Sequence, residues 1–183
     1  QIDPKEKRVQ IADGIGASPG AATGKIVFNA SSAVALASRG EASILVRIET
    51  TPDDIRGMHS ANGILTERGG INSHAAVVAR TLGLPCVVGV NNINIDQKNK
   101  KLHFENGTSL SEGDLITLDG STGQILSGST KLIEPELGGN FKQFMNWADK
   151  TRTMGVRGNA DTPQDVRLAQ KFGVDGIGLV RTE

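Results

Sequence analysis

A four-residue apolar run, Gly63-Ile64-Leu65-Thr66, breaks at the pair Gly69-Gly70 and is followed by Ser73-His74-Ala75-Ala76-Val77-Val78-Ala79-Arg80, which ends at Gly83-Leu84-Pro85. The first run reads as a buried strand. The second carries apolar residues at helical spacing, with Gly83 to close the helix and Pro85 to block its continuation. A strand, a glycine turn and a helix must therefore follow one another, and His74 falls where the turn becomes the helix. The N–H groups of a first helical turn lack intrahelical partners and the helix dipole is positive there, so an anion on or near His74 is stabilised. A neutral imidazole at that place has the lone pair needed to attack phosphorus.

The text on either side alternates strands and helices in the same way, which makes the fold class α/β. Gly24-Lys25-Ile26-Val27-Phe28 and Ser43-Ile44-Leu45-Val46 read as strands, with a helix over 31–38 between them. Thr51-Pro52-Asp53-Asp54 opens another helix, reaching Ser60: Thr51 can cap, Pro52 suits the first helical position and Asp54 stands where a capping box wants an acid. Asp53 and Asp54 are thus read as first-turn acids rather than as a catalytic pair. Leu115-Ile116-Thr117-Leu118 and Gly123-Gln124-Ile125-Leu126 form a hairpin.

Residues 127–139 are polar and glycine-bearing and read as a linker. Phe141, Phe144, Met145 and Ala148 then recur at helical spacing, an apolar stripe suited to packing, with Trp147 as a further anchor. From Gly155 the order is strand, helix, strand. Thr162-Pro163-Gln164-Asp165 repeats the capping logic, Gly173 closes the helix and Gly176-Ile177-Gly178-Leu179-Val180 is the second strand, so this is one βαβ unit. A parallel barrel needs about 250 residues to close, so 155–183 supplies only an opening.

Charge and composition remove several function classes. The 20 basic and 20 acidic residues cancel, with no long run of one sign, so neither a nucleic-acid groove nor a membrane surface is indicated. No stretch approaches the roughly 20 apolar residues of a membrane span and no secretory pattern opens the chain, which points to a cytoplasmic protein. The chain begins without Met and ends on a strand-like run, as a piece of a longer polypeptide would. Cys86 is the one cysteine and lies in an apolar run, so it reads as a core residue. His59 and His103 stand alone and read as surface or packing residues; three scattered histidines make no metal site.

From Gly69 to Arg80 the text matches, residue for residue, the phosphohistidine signature of the phosphoenolpyruvate-utilising enzymes. The flanks are similar to the dikinase branch of that family: Ile48-Glu49-Thr50-Thr51-Pro52-Asp53-Asp54, Gly57-Met58-His59, Ala17-Ser18-Pro19-Gly20, Asn159-Ala160-Asp161-Thr162-Pro163 and the closing Arg181-Thr182-Glu183. This chain resembles the family over nearly its whole length. The resemblance implies a swivelling β/β/α phosphohistidine domain over 1–128, a linker and linker helix over 129–154, and over 155–183 the first βαβ unit of a truncated (β/α)8 barrel that binds phosphoenolpyruvate or pyruvate.

It also implies a chemistry. An absent ATP-grasp domain pyrophosphorylates the histidine from ATP, phosphate removes the outer phosphoryl group as pyrophosphate, and the remaining phosphoryl group passes to pyruvate in the barrel. His74 would be the acceptor, through the ring nitrogen farther from the backbone. Gly69, Gly70, Ser73 and Arg68 would form the phosphate surroundings, and Arg181 would contact the phosphate of phosphoenolpyruvate. Mg2+ and a monovalent cation are implied for the complete enzyme, a homodimer, with neither metal expected on this fragment. A phosphoenolpyruvate synthase, the first enzyme of the sugar phosphotransferase system and a non-catalytic module of the same fold are the alternatives. Asn72 stands where many members carry a regulatory phosphorylated threonine and cannot be phosphorylated that way, and Ser73 is the nearest hydroxyl.

Overall fold

The computed structural model describes residues 2–3, 9–133 and 139–178, which fall into two compact units, Gln1–Pro135 and Glu136–Glu183. The first begins with strands β1 (Gln10–Asp13), β2 (Ile15–Ser18) and β3 (Ala21–Val27), helix α1 (Ala30–Ala37) and strand β4 (Ser43–Arg47). A 3-10 turn at Pro52–Asp54 leads into α2 (Ile55–Ser60), then β5 (Gly63–Thr66), α3 (His74–Leu82) and β6 (Cys86–Val88). Five further strands close the unit: β7 (Ile93–Asp96), β8 (Lys101–Phe104), β9 (Ser109–Ser111), β10 (Leu115–Asp119) and β11 (Gln124–Ser127).

An eight-stranded sheet in the order β1-β11-β10-β3-β4-β5-β6-β2 forms the middle of the unit. Strands β3, β4, β5 and β6 run parallel, joined by α1, α2 and α3, and the remaining pairs are antiparallel. Strands β1 and β2 occupy opposite edges although Gly14 alone separates them, so the sheet curls until its edges meet there. The Gly14 N–H donates to the Gly123 carbonyl at 2.9 Å across that meeting point.

Both faces of the large sheet are covered, which is why the middle of β4 (Ile44, Leu45, Val46) and of β5 (Ile64, Leu65) is apolar on both faces. Leu45, Ile64 and Cys86 pack with Ala33, Leu36, Met58, Ala75, Ala76 and Ala79 of the three helices. On the other face Ile44, Val46, Leu65, Ile116 and Leu118 pack with Ile93, Ile95, Leu102 and Phe104, which belong to a second sheet of order β7-β8-β9. The layers are therefore small sheet, large sheet and helices. The expected mixed α/β class holds, as do the strands over 43–46 and 63–66, the hairpin of β10 with β11, and the buried position of Cys86.

The second unit contains helix α4 (Gly139–Thr151), strand β12 (Arg157–Gly158), helix α5 (Pro163–Lys171) and strand β13 (Gly176–Ile177). Strands β12 and β13 pair in parallel, giving the expected βαβ order. Thr162 and Asp165 cap α5 reciprocally, the Thr162 N–H donating to Asp165 Oδ2 at 3.0 Å and the Asp165 N–H to Thr162 Oγ1 at 3.2 Å. The apolar stripe of α4 differs from expectation. Phe144 is 62% exposed and Trp147 60%, because one short βαβ unit has no layer with which to cover them.

Candidate functional site

Two loops leave the carboxyl ends of the adjacent parallel strands β4 and β5, the place where open α/β sheets bind ligands. Backbone bonds continue the pairing past the strand ends: Glu67 N–H donates to the Arg47 carbonyl at 3.1 Å and Arg68 N–H to the Ile48 carbonyl at 2.9 Å. The loops then part and enclose a cavity of about 250 Å3 lined by Glu49, Thr50, Arg68, Gly69, Ser73, His74 and Ala75.

His74 is the first residue of α3, and Ser73 is its N-cap, accepting from the Ala76 N–H at 3.4 Å. Small side chains set the depth of this helix. Ala75, Ala76 and Ala79 are buried against the sheet, so the helix lies close to it and the half-buried His74 stays at the cavity wall. Gly69 has φ +111°, which admits a glycine and strains other residues, and a Cβ on it would meet Ser73 Cβ at 2.9 Å. Gly70 differs: an added Cβ would find nothing within 4 Å. The turn at Gly69 is thus a backbone requirement, whereas Gly70 leaves room beside the cavity.

Thr50 was not singled out by sequence reasoning, yet its hydroxyl lies 3.0 Å from His74 Nδ1. Its sequence signals are its place just beyond a buried parallel strand and its presence in the flank that resembles the family, neither of which pairs it with His74. With Nδ1 engaged, Nε2 has no protein partner among the described residues. Arg68 lines the cavity with a side chain 67% exposed and its Nε 3.8 Å from Glu67 Oε1, a contact too long and too wet to hold it. It can swing toward an anion. Glu49 opposes that charge on the same wall, so the positive side is supplied by Arg68 together with the α3 N-terminus.

Of the residues expected to act together, His74, Ser73, Gly69 and Arg68 line one cavity with Thr50, and Gly70 adjoins them. Arg181 lies outside the described residues. His59 and His103 are exposed on α2 and β8. Asp54 is buried, and its carboxylate accepts the Thr51 N–H at 2.9 Å and pairs with Arg47 Nε at 3.2 Å. Among the described residues no three His, Cys, Asp or Glu side chains gather as a metal site, and no helix is long and apolar enough to cross a membrane. A larger cavity of about 300 Å3, between Lys25, Ser32, Arg39 and Glu112, is less suited to an anion. Lys25 and Arg39 already pair with Glu41, and Glu112 adds a negative wall.

Two family descriptions match this chain: "PEP-utilising enzyme, mobile domain" over residues 40–123 and "PEP-utilising enzyme, PEP-binding domain" over 135–183. The chain belongs to the PEP-utilising enzymes. The first match contains every residue of the His74 cavity. Among individual relatives, it is 54% identical over 182 residues to pyruvate, phosphate dikinase of Rhizobium meliloti (strain 1021), covering 100% of this chain and 20% of that one. The dikinase of Clostridium symbiosum is 53% identical over 173 residues, covering 94% of this chain and 20% of that one. Pyruvate, phosphate dikinase 1 of Arabidopsis thaliana, named chloroplastic, is 49% identical over 182 residues, 99% of this chain and 19% of that one. The chain thus spans about a fifth of the length of the relatives it matches.

Proposed function

We propose that this chain is the phosphohistidine carrier of a pyruvate, phosphate dikinase, joined to the beginning of its PEP-binding barrel. One observation supports this above the others. The His74 imidazole lines an open cavity at a helix N-terminus, with Nδ1 engaged by Thr50 and Nε2 without a partner among the described residues.

The chemistry needs a lone pair on the attacking nitrogen. If Nδ1–H donates to Thr50 Oγ1, the lone pair falls on Nε2, which can attack the β-phosphorus of ATP while the bond from that phosphorus to the AMP oxygen breaks. The pyrophosphoryl group then held on Nε2 loses its outer phosphoryl to phosphate, which leaves as pyrophosphate. The group that remains is transferred to the enolate oxygen of pyruvate, regenerating neutral His74 and giving phosphoenolpyruvate. Across the three steps ATP, phosphate and pyruvate become AMP, pyrophosphate and phosphoenolpyruvate. Within this chain, the first-turn N–H groups of α3 and Arg68 would stabilise the negative charge of the phosphoryl group held on Nε2, and the open space beside Gly70 would give it room.

The donor and acceptor sites belong to an ATP-grasp domain and a completed barrel of the same polypeptide. Mg2+ and a monovalent cation would enter with the nucleotide and phosphoenolpyruvate on those domains, in a cytoplasmic homodimer. A carrier serving two such sites has to travel, and the three-layer unit would do so as a swivelling body. Arg181 would contribute to the barrel site.

Incubation of the chain with its ATP-grasp domain and ATP labelled in the β-phosphate tests the reading. Acid-labile label on the chain, absent in folded His74→Ala, is expected; no label on the folded wild type would overturn it. Turnover of the full-length enzyme should require added phosphate, as a synthase would not.

A further inference from the structure

We infer that Asp54 is a positioning residue for His74, acting through Thr50 to hold the imidazole in the Nδ1–H form that leaves Nε2 free to attack. The inference rests on the carrier reading and on its Thr50–His74 contact, and adds Asp54 and Arg47. Asp54 Oδ2 takes three donors: the Thr51 N–H at 2.9 Å, the Thr51 hydroxyl at 3.3 Å and Arg47 Nε at 3.2 Å. Arg47 in turn donates through Nη1 to the Phe28 carbonyl at 2.9 Å, which anchors the group to the end of β3. A helix cap requires only the Thr51 N–H. The pairing with half-buried Arg47 and its reach to Phe28 are additional.

The position of this cluster gives it its purpose. The Thr50–Thr51 peptide is fixed from one side by Asp54, and the Ile48 carbonyl is fixed from the other by the Arg68 N–H at 2.9 Å. Only Glu49 and Thr50 lie between these anchors. A threonine hydroxyl can donate or accept, and which it does decides the tautomer of the ring it meets. A hydroxyl held at one place and angle can favour accepting from Nδ1–H; on a loosened loop it loses that preference. Asp54 is 4% exposed and no part of it lines the cavity, so its influence must pass through the backbone at Thr51.

The test uses the 183-residue chain with 15N-labelled histidine rings. Two-bond proton–nitrogen correlations should report wild-type His74 as Nδ1–H, and folded Asp54→Asn as a mixture of tautomers resembling that of Thr50→Val. Potassium phosphoramidate provides a donor that needs no second domain: Nε2 attacks phosphorus, the P–N bond breaks and ammonia departs. Its rate of reaction at His74 should fall roughly three- to tenfold in both variants, the reach of one net hydrogen bond. Should Asp54→Asn fail to fold, Arg47→Gln loosens the same clamp while retaining a donor for Phe28, and the same shift is expected. A wild-type ring in the Nε2–H form, or ring signals and rate unchanged in a folded variant, overturns the inference, because a cap alone would alter stability and leave the tautomer as it was. A ring that responds to Asp54→Asn but takes no label from ATP and the ATP-grasp domain would instead retain the positioning role and remove the carrier reading.

Discussion

Gly89 abuts the carbonyl of Gly69: a Cβ built on Gly89 would stand 2.6 Å from that oxygen, and the Gly89 backbone has φ +64°. The loop after β6 thereby supports the turn that precedes His74, and no side chain fits between them. Gly89→Ala incurs both a left-handed strain and a steric clash, for an expected loss of about 2 to 3 kcal/mol, read from denaturant midpoints. Labelling of His74 should fall with it, since the Gly69 turn must move. Gly70→Ala is the contrast. Its Cβ meets nothing, so stability should change by less than about 0.5 kcal/mol, while phosphorylation falls if the space beside Gly70 receives the phosphate.

Cys86 illustrates how burial alone controls a reactive group. Its side chain is fully buried between the large sheet and α3, and desolvation pushes the thiol up to about 12, against a small lowering by Arg80. Alkylation by iodoacetamide at pH 8 should therefore be negligible in the native state and rapid in denaturant. The sign of the pH effect follows from linkage. An unfolded thiol ionises near 9.0 while the folded one remains protonated to about 12, so in that window the unfolded state binds fewer protons and stability falls by about 1.4 kcal/mol per pH unit. Cys86→Ala should flatten that part of the stability curve, apart from a constant offset for the smaller side chain.

The His74 end of the chain was legible because its signals are local. A glycine turn, a cap residue and an apolar helix face lie in one continuous stretch, and β4 and β5 are apolar on both faces. Thr50 was not legible, since its meeting with His74 depends on β4 and β5 being neighbours, which no local pattern encodes. The sheet of β7, β8 and β9 was missed for a different reason. Ile93 and Ile95 alternate with Asn94, and Leu102 and Phe104 with Lys101 and His103, which is proper strand periodicity. Asparagines and lysines around these short runs read as loop. Likewise, β1 and β2 look like one strand broken by Gly14, and only the curl of the sheet sends them to opposite edges. The α4 stripe was legible as amphipathic text, but what covers such a face cannot be read from the stripe itself.

Within the second unit, Asp175 joins the segment after α4 to the βαβ element. Its carboxylate pairs with Arg152, accepting from Nη2 at 2.9 Å and from Nη1, and also takes the Val156 N–H at 2.8 Å. The Arg152 guanidinium, followed by the Val156 N–H, holds this carboxyl well below the usual carboxylate range. Its contribution to stability is thus complete above the ordinary aspartate range near 3.9 and is lost only as the pH falls toward the lower folded value. Protection of the Val156 amide from hydrogen exchange should persist at pH 4. In Asp175→Asn the same amide should exchange faster at every pH, and faster exchange confined to other residues would show that the clamp is ineffective in solution.

Two helices of the first unit are capped by different side chains with different geometry, which allows a direct comparison. Asn29 Oδ1 accepts from the Ser32 N–H at 2.8 Å at the start of α1, whereas Ser73 Oγ accepts from the Ala76 N–H at 3.4 Å at the start of α3. A cap replaced by alanine typically costs about 1 kcal/mol, with a range of roughly 0.5 to 2. The shorter bond places Asn29→Ala toward the upper end and Ser73→Ala toward the lower end, so the Asn29 variant should show the larger shift in denaturant midpoint. Function should reverse that order. Asn29 does not line the His74 cavity, so Asn29→Ala should slow labelling less than Ser73→Ala does, whereas Ser73 lines the cavity and its loss should slow labelling despite the smaller effect on stability. A weak bond at a helix start is what a phosphate site needs, because a cap that already satisfied the first-turn N–H groups well would compete with the anion for them.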